Sequence, residues 1–225
     1  LDLKYSNSNA IYYAYTLAGK SCELKKTDIY VIVNFPGYEN PLEVGDLLLA
    51  VDGKHFETLK EYQEYIQNFD KDSILVKVKR DDKEQEVSCK LYEEGGKKLL
   101  GVGLQADNTY VTSPEVDFKF KPNESGPSAG LVTTLSIYDQ LTKGDLTKNK
   151  KIAGTGTIEA DGSIGEIGEV EYKLLGAVDG GADIFLVPEG DNYKTCKKVK
   201  KEEKLDIKLI PVKTIYDAVE KLKKI

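Results

Sequence analysis

Apolar and polar residues alternate differently in the two halves of the chain. From Asp28, DIYVIVNFPGYENPLEVGDLLLAVDG reads as a strand, a turn marked by Pro36 and Gly37, then LEVGDLLLAV running into a second strand and a turn at Asp52 and Gly53. Leu59, Tyr62, Ile66 and Phe69 follow at helical spacing. ILVKVKR (Ile74 to Arg80) and QEVSCKLYE (Gln85 to Glu93) then alternate around DDKE, a hairpin pattern. In the second half Leu131, Leu135 and Tyr138 share one helix face, Val170, Leu174 and Ala177 another, LDIKLIPV reads as a strand, and Ile215, Val219 and Leu222 mark a closing helix. Strands alternating with helices predict an α/β (α+β) layer structure. Ahead of both halves, Ile11, Ala14, Tyr15 and Ala18 form a helical stripe that stops at Gly19.

The pentapeptide GPSAG, Gly126 to Gly130, puts a serine at the start of an apolar helix. Pro127 suits the first helical position, where its missing N–H costs nothing. Ser128, Leu131, Leu135 and Tyr138 then fall on one face, which points the hydroxyl toward packed protein. A helix start also offers unpaired N–H groups and the positive end of the dipole, both of which stabilise an anion forming beside the serine. Because Pro127 cannot donate, the candidate oxyanion donors are the N–H groups of Gly126 and Ser128.

A serine nucleophile needs a proton acceptor, and the usual imidazole is missing. The single histidine, His55, sits in the hairpin turn VDGKHF, and one histidine cannot build the common zinc sites. Lys173 is the remaining candidate. It shares the stripe of Val170, Leu174 and Ala177, where burial disfavours the charged amine and lets it act as a general base. A serine that only caps a helix and a boundary lysine whose ammonium snorkels to water would leave the same two patterns.

From PEVDFKF (Pro114 to Phe120) through FLVP (Phe185 to Pro188) the chain resembles the proteolytic domain of Lon-type proteases. GPSAG matches the nucleophile motif, IAGTGTIEADGSIG the strand pair between the catalytic elements, and EYKLLGA the helix carrying the base. The resemblance implies Ser128 as nucleophile, Lys173 as base, and Thr155 as an auxiliary hydroxyl hydrogen-bonded near the lysine amine. Two positions depart from the family pattern. The acidic residue that cytosolic members carry three positions before the nucleophile is Ser125 here, and the glycine pair before the base helix is Gly168 followed by Glu169. No GxxxxGK[ST] phosphate loop occurs in the chain, so the resemblance implies a protease without the ATP-driven unfoldase.

The order of elements in the first half resembles a bacterial PDZ domain, with Val44, Gly45, Asp46 and Asp52, Gly53 as landmarks. Such domains bind extended peptides by adding them to a sheet edge. AGKSCELKKT (Ala18 to Thr27) does not match the glycine-rich carboxylate loop expected before Ile29, and LGVGL (Leu100 to Leu104) reads as the first strand after a linker, EEGGKK (Glu93 to Lys98). The expected organisation is an N-terminal helix over residues 1–25 packed on the protease domain, an inserted PDZ-like domain over 26–95, and a Lon-type proteolytic domain over 96–225.

The layout is similar to that of the membrane-anchored, ATP-independent PDZ and Lon-type proteases of Gram-positive bacteria. That resemblance implies a Ser-Lys endopeptidase at the extracellular face of the cell membrane. It would cut exported peptides or flexible protein segments, including signalling peptides of quorum sensing. The alternative expectation is a non-catalytic PDZ-type peptide-binding protein with an inactive protease-like half.

Composition narrows the partners. With 32 basic and 38 acidic residues the net charge is -6, which argues against nucleic acid or an anionic membrane surface as main partners. The lysine cluster from Lys194 to Lys204, interrupted by Val199, Glu202 and Glu203, reads as a solvated helix face. No apolar run approaches a transmembrane span and no signal peptide is visible. The chain lacks methionine even at its start, so it is expected to be a fragment, with any membrane anchor upstream of residue 1. Cys22, Cys89 and Cys196 are too few and too scattered for a disulfide scaffold or a metal cluster, and neither metal nor cofactor is expected. The expected partner is a peptide or unfolded protein.

Overall fold

Helix α1 (Asp2–Ala18) does not bury a plain apolar stripe. Polar Ser6, Ser8 and Asn9 go inside together with Ala10, Tyr13, Ala14 and Tyr15. The computed structural model describes residues 2–118 and 126–225. Two compact units emerge: Leu24–Thr109 forms one, and Asp2–Glu23 joins Tyr110–Ile225 in the other.

The first unit is built on β1 (Ser21–Asn34), β2 (Leu47–Val51), α2 (Leu59–Gln67), β3 (Ser73–Arg80), β4 (Lys83–Lys90), the short strands β5 (Tyr92–Glu94) and β6 (Lys97–Leu99), and β7 (Val102–Ser113). Its main sheet runs β4-β3-β2-β1-β7. Period-two alternation drives this sheet: Ile74, Val76 and Val78 of β3 are all buried while the residues between them face outward. Asp81 and Asp82 both take positive φ, the geometry whose twist suits a two-residue hairpin between β3 and β4. Thr58 and Glu61 fix the start of α2 with a reciprocal capping box, and Tyr62 and Ile66 seat the helix on the core.

EEGGKK is not a linker. Gly95 and Gly96 make the tight turn between β5 and β6, and LGVGL enters β7, an outer strand of the first sheet. Leu100 is buried in the first core and Val102, Leu104 and Ala106 pack against it. The boundary therefore falls between Thr109 and Tyr110, because apolar alternation past residue 96 continues the existing sheet.

The second unit continues with α3 (Gly130–Leu141), β8 (Ile152–Gly154), β9 (Thr157–Ile158), β10 (Ile164–Gly165), α4 (Val170–Asp179), β11 (Ile184–Pro188), α5 (Asp191–Glu202), β12 (Lys208–Val212) and α6 (Ile215–Lys223). Strands β12, β11 and β8 form a parallel sheet in that order. All five residues of β11 are buried, as expected of a central parallel strand covered on both faces. Ile184 and Leu186 join Leu131, Leu135, Ile215 and Val219 in one core. Phe185 and Val187 face Val170, Leu174, Cys196 and Ile207 in another.

Candidate active site

Gly126, with φ 88° and ψ 159°, turns the chain into a single 3-10 turn, Pro127–Ala129, that continues as α3. A side chain at that φ would be strained, which accounts for the first glycine of GPSAG. Ser128 is half-buried in the turn. Its carbonyl oxygen accepts two hydrogen bonds, from the Gly156 N–H at 2.9 Å and from Thr155 Oγ1 at 3.1 Å. The Thr155 N–H in turn donates to the Leu186 carbonyl at 3.0 Å, and the Leu131 N–H donates to the Gly156 carbonyl at 3.0 Å. Residues leaving the C-terminal end of β8 thus clamp the serine turn to the parallel sheet.

Helix α1 holds the turn from a second side. Ser6 Oγ donates to the Pro127 carbonyl at 3.3 Å, Asn9 Nδ2 to the Ile158 carbonyl at 2.9 Å, and the Tyr13 hydroxyl to the Ala160 carbonyl at 2.8 Å. Burial, with Tyr216 nearby as a secondary cause, pushes the Tyr13 hydroxyl up to about 12. A hydrophobic stripe could not reveal Ser6 and Asn9, because both are polar. The available signal was their spacing with Tyr13, three and then four residues apart on one helix side.

The last glycine of GPSAG answers to packing. A Cβ on Gly130 would lie 2.7 Å from the Ile158 backbone nitrogen and 2.8 Å from Ser6 Oγ. Backbone cannot swing aside as a flexible side chain can. Gly130→Ala is therefore expected to cost about 1–3 kcal/mol despite alanine's better helix propensity. Urea unfolding would register this, and unchanged stability would contradict the close packing of α1, α3 and β9.

Lys173 is placed differently from expectation. Helix α4 buries Val170 and Leu174, and Lys173 is exposed. At about 100° per residue it lies on the margin of the stripe, beyond Ala177, where a long side chain carries its ammonium to water. Among the described residues, no hydrogen bond joins the side chains of Ser128 and Lys173. Thr155, buried at 3% exposure, gives its hydroxyl to the Ser128 carbonyl rather than to the lysine amine. The structure thus brings Ser128 and Thr155 together and leaves Lys173 unengaged. Ser125 lies outside the described residues. His55 belongs to the first unit, where Nδ1 meets the Leu49 carbonyl at 3.0 Å. Among the described residues no group of acidic, histidine or cysteine side chains could hold a metal ion.

The approach to α4 is fixed by a clip that no local sequence pattern announces. Asn192 Oδ1 accepts from the Ile167 N–H at 2.9 Å, its Nδ2 donates to the Ile167 carbonyl at 3.0 Å, and its own N–H donates to Glu166 Oε1 at 2.8 Å. After this clip Glu169 adopts φ 55° and ψ 38°, a left-handed conformation at the start of α4. A glycine would take it without strain, so Glu169→Gly is expected to stabilise the unit by about 1 kcal/mol. A lower urea midpoint in that variant would show that Glu169 makes compensating contacts.

Comparison with known proteins places these features. Residues 118–224 match the model of the Lon protease (S16) C-terminal proteolytic domain, and residues 31–80 match a PDZ domain. The Lon protease of Neorickettsia sennetsu is 36% identical over 97 residues, covering 43% of this chain and 11% of that protein. The Lon protease of Trichlorobacter lovleyi is 35% identical over 150 residues, covering 56% of this chain and 18% of that protein. The chain thus spans less than a fifth of the length of these curated relatives. A crystal structure of the PDZ domain of an SdrC-like protein from Listeria monocytogenes is 26% identical, covers 34% of this chain and 85% of that one, and has a TM-score of 0.31. The chain carries a PDZ domain at residues 31–80 and, C-terminal to it, a Lon proteolytic domain at residues 118–224.

Proposed function

We propose that the protein is a serine endopeptidase that cuts extended peptides, with Ser128 as nucleophile and Lys173 as the proton acceptor. The observation that carries this reading is the position of Ser128: it sits in a glycine-started turn, clamped through its carbonyl by Thr155 and Gly156, within the Lon proteolytic domain. Such a clamp preorganises the nucleophile and the backbone donors beside it. In the proposed reaction the Ser128 Oγ–H proton passes to Lys173 Nζ while Oγ attacks the peptide carbonyl carbon. The Gly126 and Ser128 N–H groups hold the resulting oxyanion. Collapse breaks the C–N bond, Lys173 returns the proton to the leaving amine, and water then hydrolyses the acyl-serine ester.

Because Lys173 is exposed in the free chain, the water exclusion that a lysine base needs must come from bound substrate. The PDZ domain supports a peptide as that substrate. In the first unit a small groove of about 140 Å³ lies between α2 and the start of β7, lined by Ile66, Leu100, Val102 and Leu104. Since β7 is an outer strand, an extended peptide added beside it would put one apolar side chain in this groove. LGVGL would then take part in peptide capture.

The proposal extends to proteolysis without ATP, which the resemblance to ATP-independent PDZ and Lon-type proteases supports. It also extends to exported substrates at the extracellular face of a Gram-positive membrane, signalling peptides among them. Resemblance alone supports that location. No helix among the described residues is long and apolar enough to cross a membrane. Incubating the protein and its Ser128→Ala form with a mixed peptide library, read by mass spectrometry, tests the activity. Cleavage products present only with the unsubstituted chain support it, and equal products from both overturn it.

A further inference from the structure

The lysine-rich segment at the end of α5 is not simply a solvated helix face. Tyr193, Lys197, Lys200 and Lys201 follow one another at helical spacing along one side of α5, Glu202 falls on the opposite side, and Lys204 comes in the turn just past the helix end. With Lys208 of β12 they line a groove of about 710 Å³ whose floor is Leu205, Ile207 and Leu209. A second groove of about 620 Å³ adjoins it through Asp206, Ile207 and Lys208, and adds Lys150 at its rim and Val178, Ala182 and Ile184 beneath. Both grooves open at the N-terminal ends of β8, β11 and β12. Thr155 and its bond to Ser128 lie past the C-terminal end of β8, at the other end of the same parallel sheet.

The charge is unbalanced in a telling way. None of Lys150, Lys197, Lys200, Lys201, Lys204 and Lys208 is paired with a carboxylate among the described residues. Elsewhere on the chain Lys77, Lys79, Lys194 and Lys221 do form ion pairs. The acids in the grooves are Asp183 and Asp206, and Asp183 already accepts a hydrogen bond from the Lys151 N–H. Six lysines against these two acids, on a chain with net charge -6, are a local positive excess that a negative partner would neutralise.

We infer that these adjoining grooves form a docking face for an extended acidic peptide segment that alternates carboxylates with apolar side chains. The apolar floor favours a peptide over a lipid surface, because the half-buried Leu205 and Leu209 lie among the lysines, where single side chains of an extended segment fit and a flat bilayer would meet mainly the lysine rim. In an extended segment alternate side chains point to opposite faces, so apolar residues fill the floor while carboxylates meet the rim. This face is separate from the Ser128 turn and does not depend on the proposed chemistry there.

The test is fluorescence anisotropy of a labelled decapeptide of alternating glutamate and leucine, using the full chain with Ser128→Ala so that the peptide stays intact. Saturable binding that weakens at high salt is expected, with affinity at least about tenfold lower in the triple variant Lys201→Glu, Lys204→Glu, Lys208→Glu. A milder set, the same lysines changed to glutamine, should fall between the two. Thermal unfolding of each variant checks that the fold persists. Absence of peptide binding overturns the inference, as does binding unmoved by the triple change, which would place the peptide in the α2 and β7 groove. Binding to phosphatidylserine vesicles that the triple variant loses, without peptide affinity, overturns it in favour of a membrane surface.

Discussion

Ser128→Ala and Lys173→Ala are each expected to reduce peptide cleavage at least about 10⁴-fold, because members of a nucleophile and base pair act as a unit. Neither change should disturb the fold. The Ser128 hydroxyl makes no hydrogen bond to another described residue, and the turn is held through its carbonyl, which alanine keeps. Lys173 is exposed, so its truncation removes little packing. Circular dichroism and urea midpoints should therefore match the unsubstituted chain.

Lys173→Arg separates the two roles that a cation can play. Guanidinium keeps the positive charge but does not lose its proton in proteins, so a base is abolished while an electrostatic helper survives. The variant is expected to be inactive. If Lys173 is the base, the rate should also rise with pH as the substrate-covered amine loses its proton. A flat profile, or an active arginine variant, would count against lysine as base while leaving Ser128 as nucleophile.

Much of the fold was legible because periodicity and burial agree. The β3 and β4 hairpin, the apolar faces of α2, α3 and α6, and the serine at the start of α3 all follow patterns that local sequence carries. What escaped is tertiary. Leu100 to Leu104 has the same alternation whether it opens a new domain or closes an old sheet, and only the company of Leu100 in the first core decides. Lys173 shares a heptad-like stripe with buried residues, yet a position at the margin of a stripe can face either way, and its neighbours turned it outward. The struts under the serine turn, Ser6 and Asn9, and the clip before α4, Asn192, are buried polar groups satisfied by backbone from distant segments. No local pattern encodes such pairings, because each depends on where another segment arrives.

In the PDZ domain the largest expected stability effect is that of Asp46→Ala. Asp46 is 1% exposed, and Arg80 grips it with both prongs: Nε to Oδ1 at 2.6 Å and Nη2 to Oδ2 at 2.7 Å. The Glu43 N–H adds a third bond to Oδ2 at 2.8 Å, and Arg80 also reaches the Pro41 carbonyl and the Glu43 carboxylate. This bundle ties the segment before β2 to the end of β3, across the sheet. Removing one partner of a buried, bidentate pair leaves a desolvated charge behind, at a cost of about 3–5 kcal/mol. The Arg80 side chain keeps 23% exposure, so water can reach the orphaned guanidinium and the lower end of that range is expected. Burial by itself pushes the Asp46 carboxyl up, but the hydrogen bond from Arg80, the Glu43 N–H and the Arg80 charge together hold it below the ordinary carboxylate value. A carboxyl depressed by folding contributes stability that is complete above its unfolded value, near pH 4, and is lost as pH falls through the lower folded value. Urea midpoints of the unsubstituted chain should therefore drop on acidification below about pH 4. In Asp46→Asn, which keeps the shape without the charge, that drop should be smaller from an already lower start. An equal acid loss in both proteins would show that other carboxylates, and not this pair, set the acid limit of the domain.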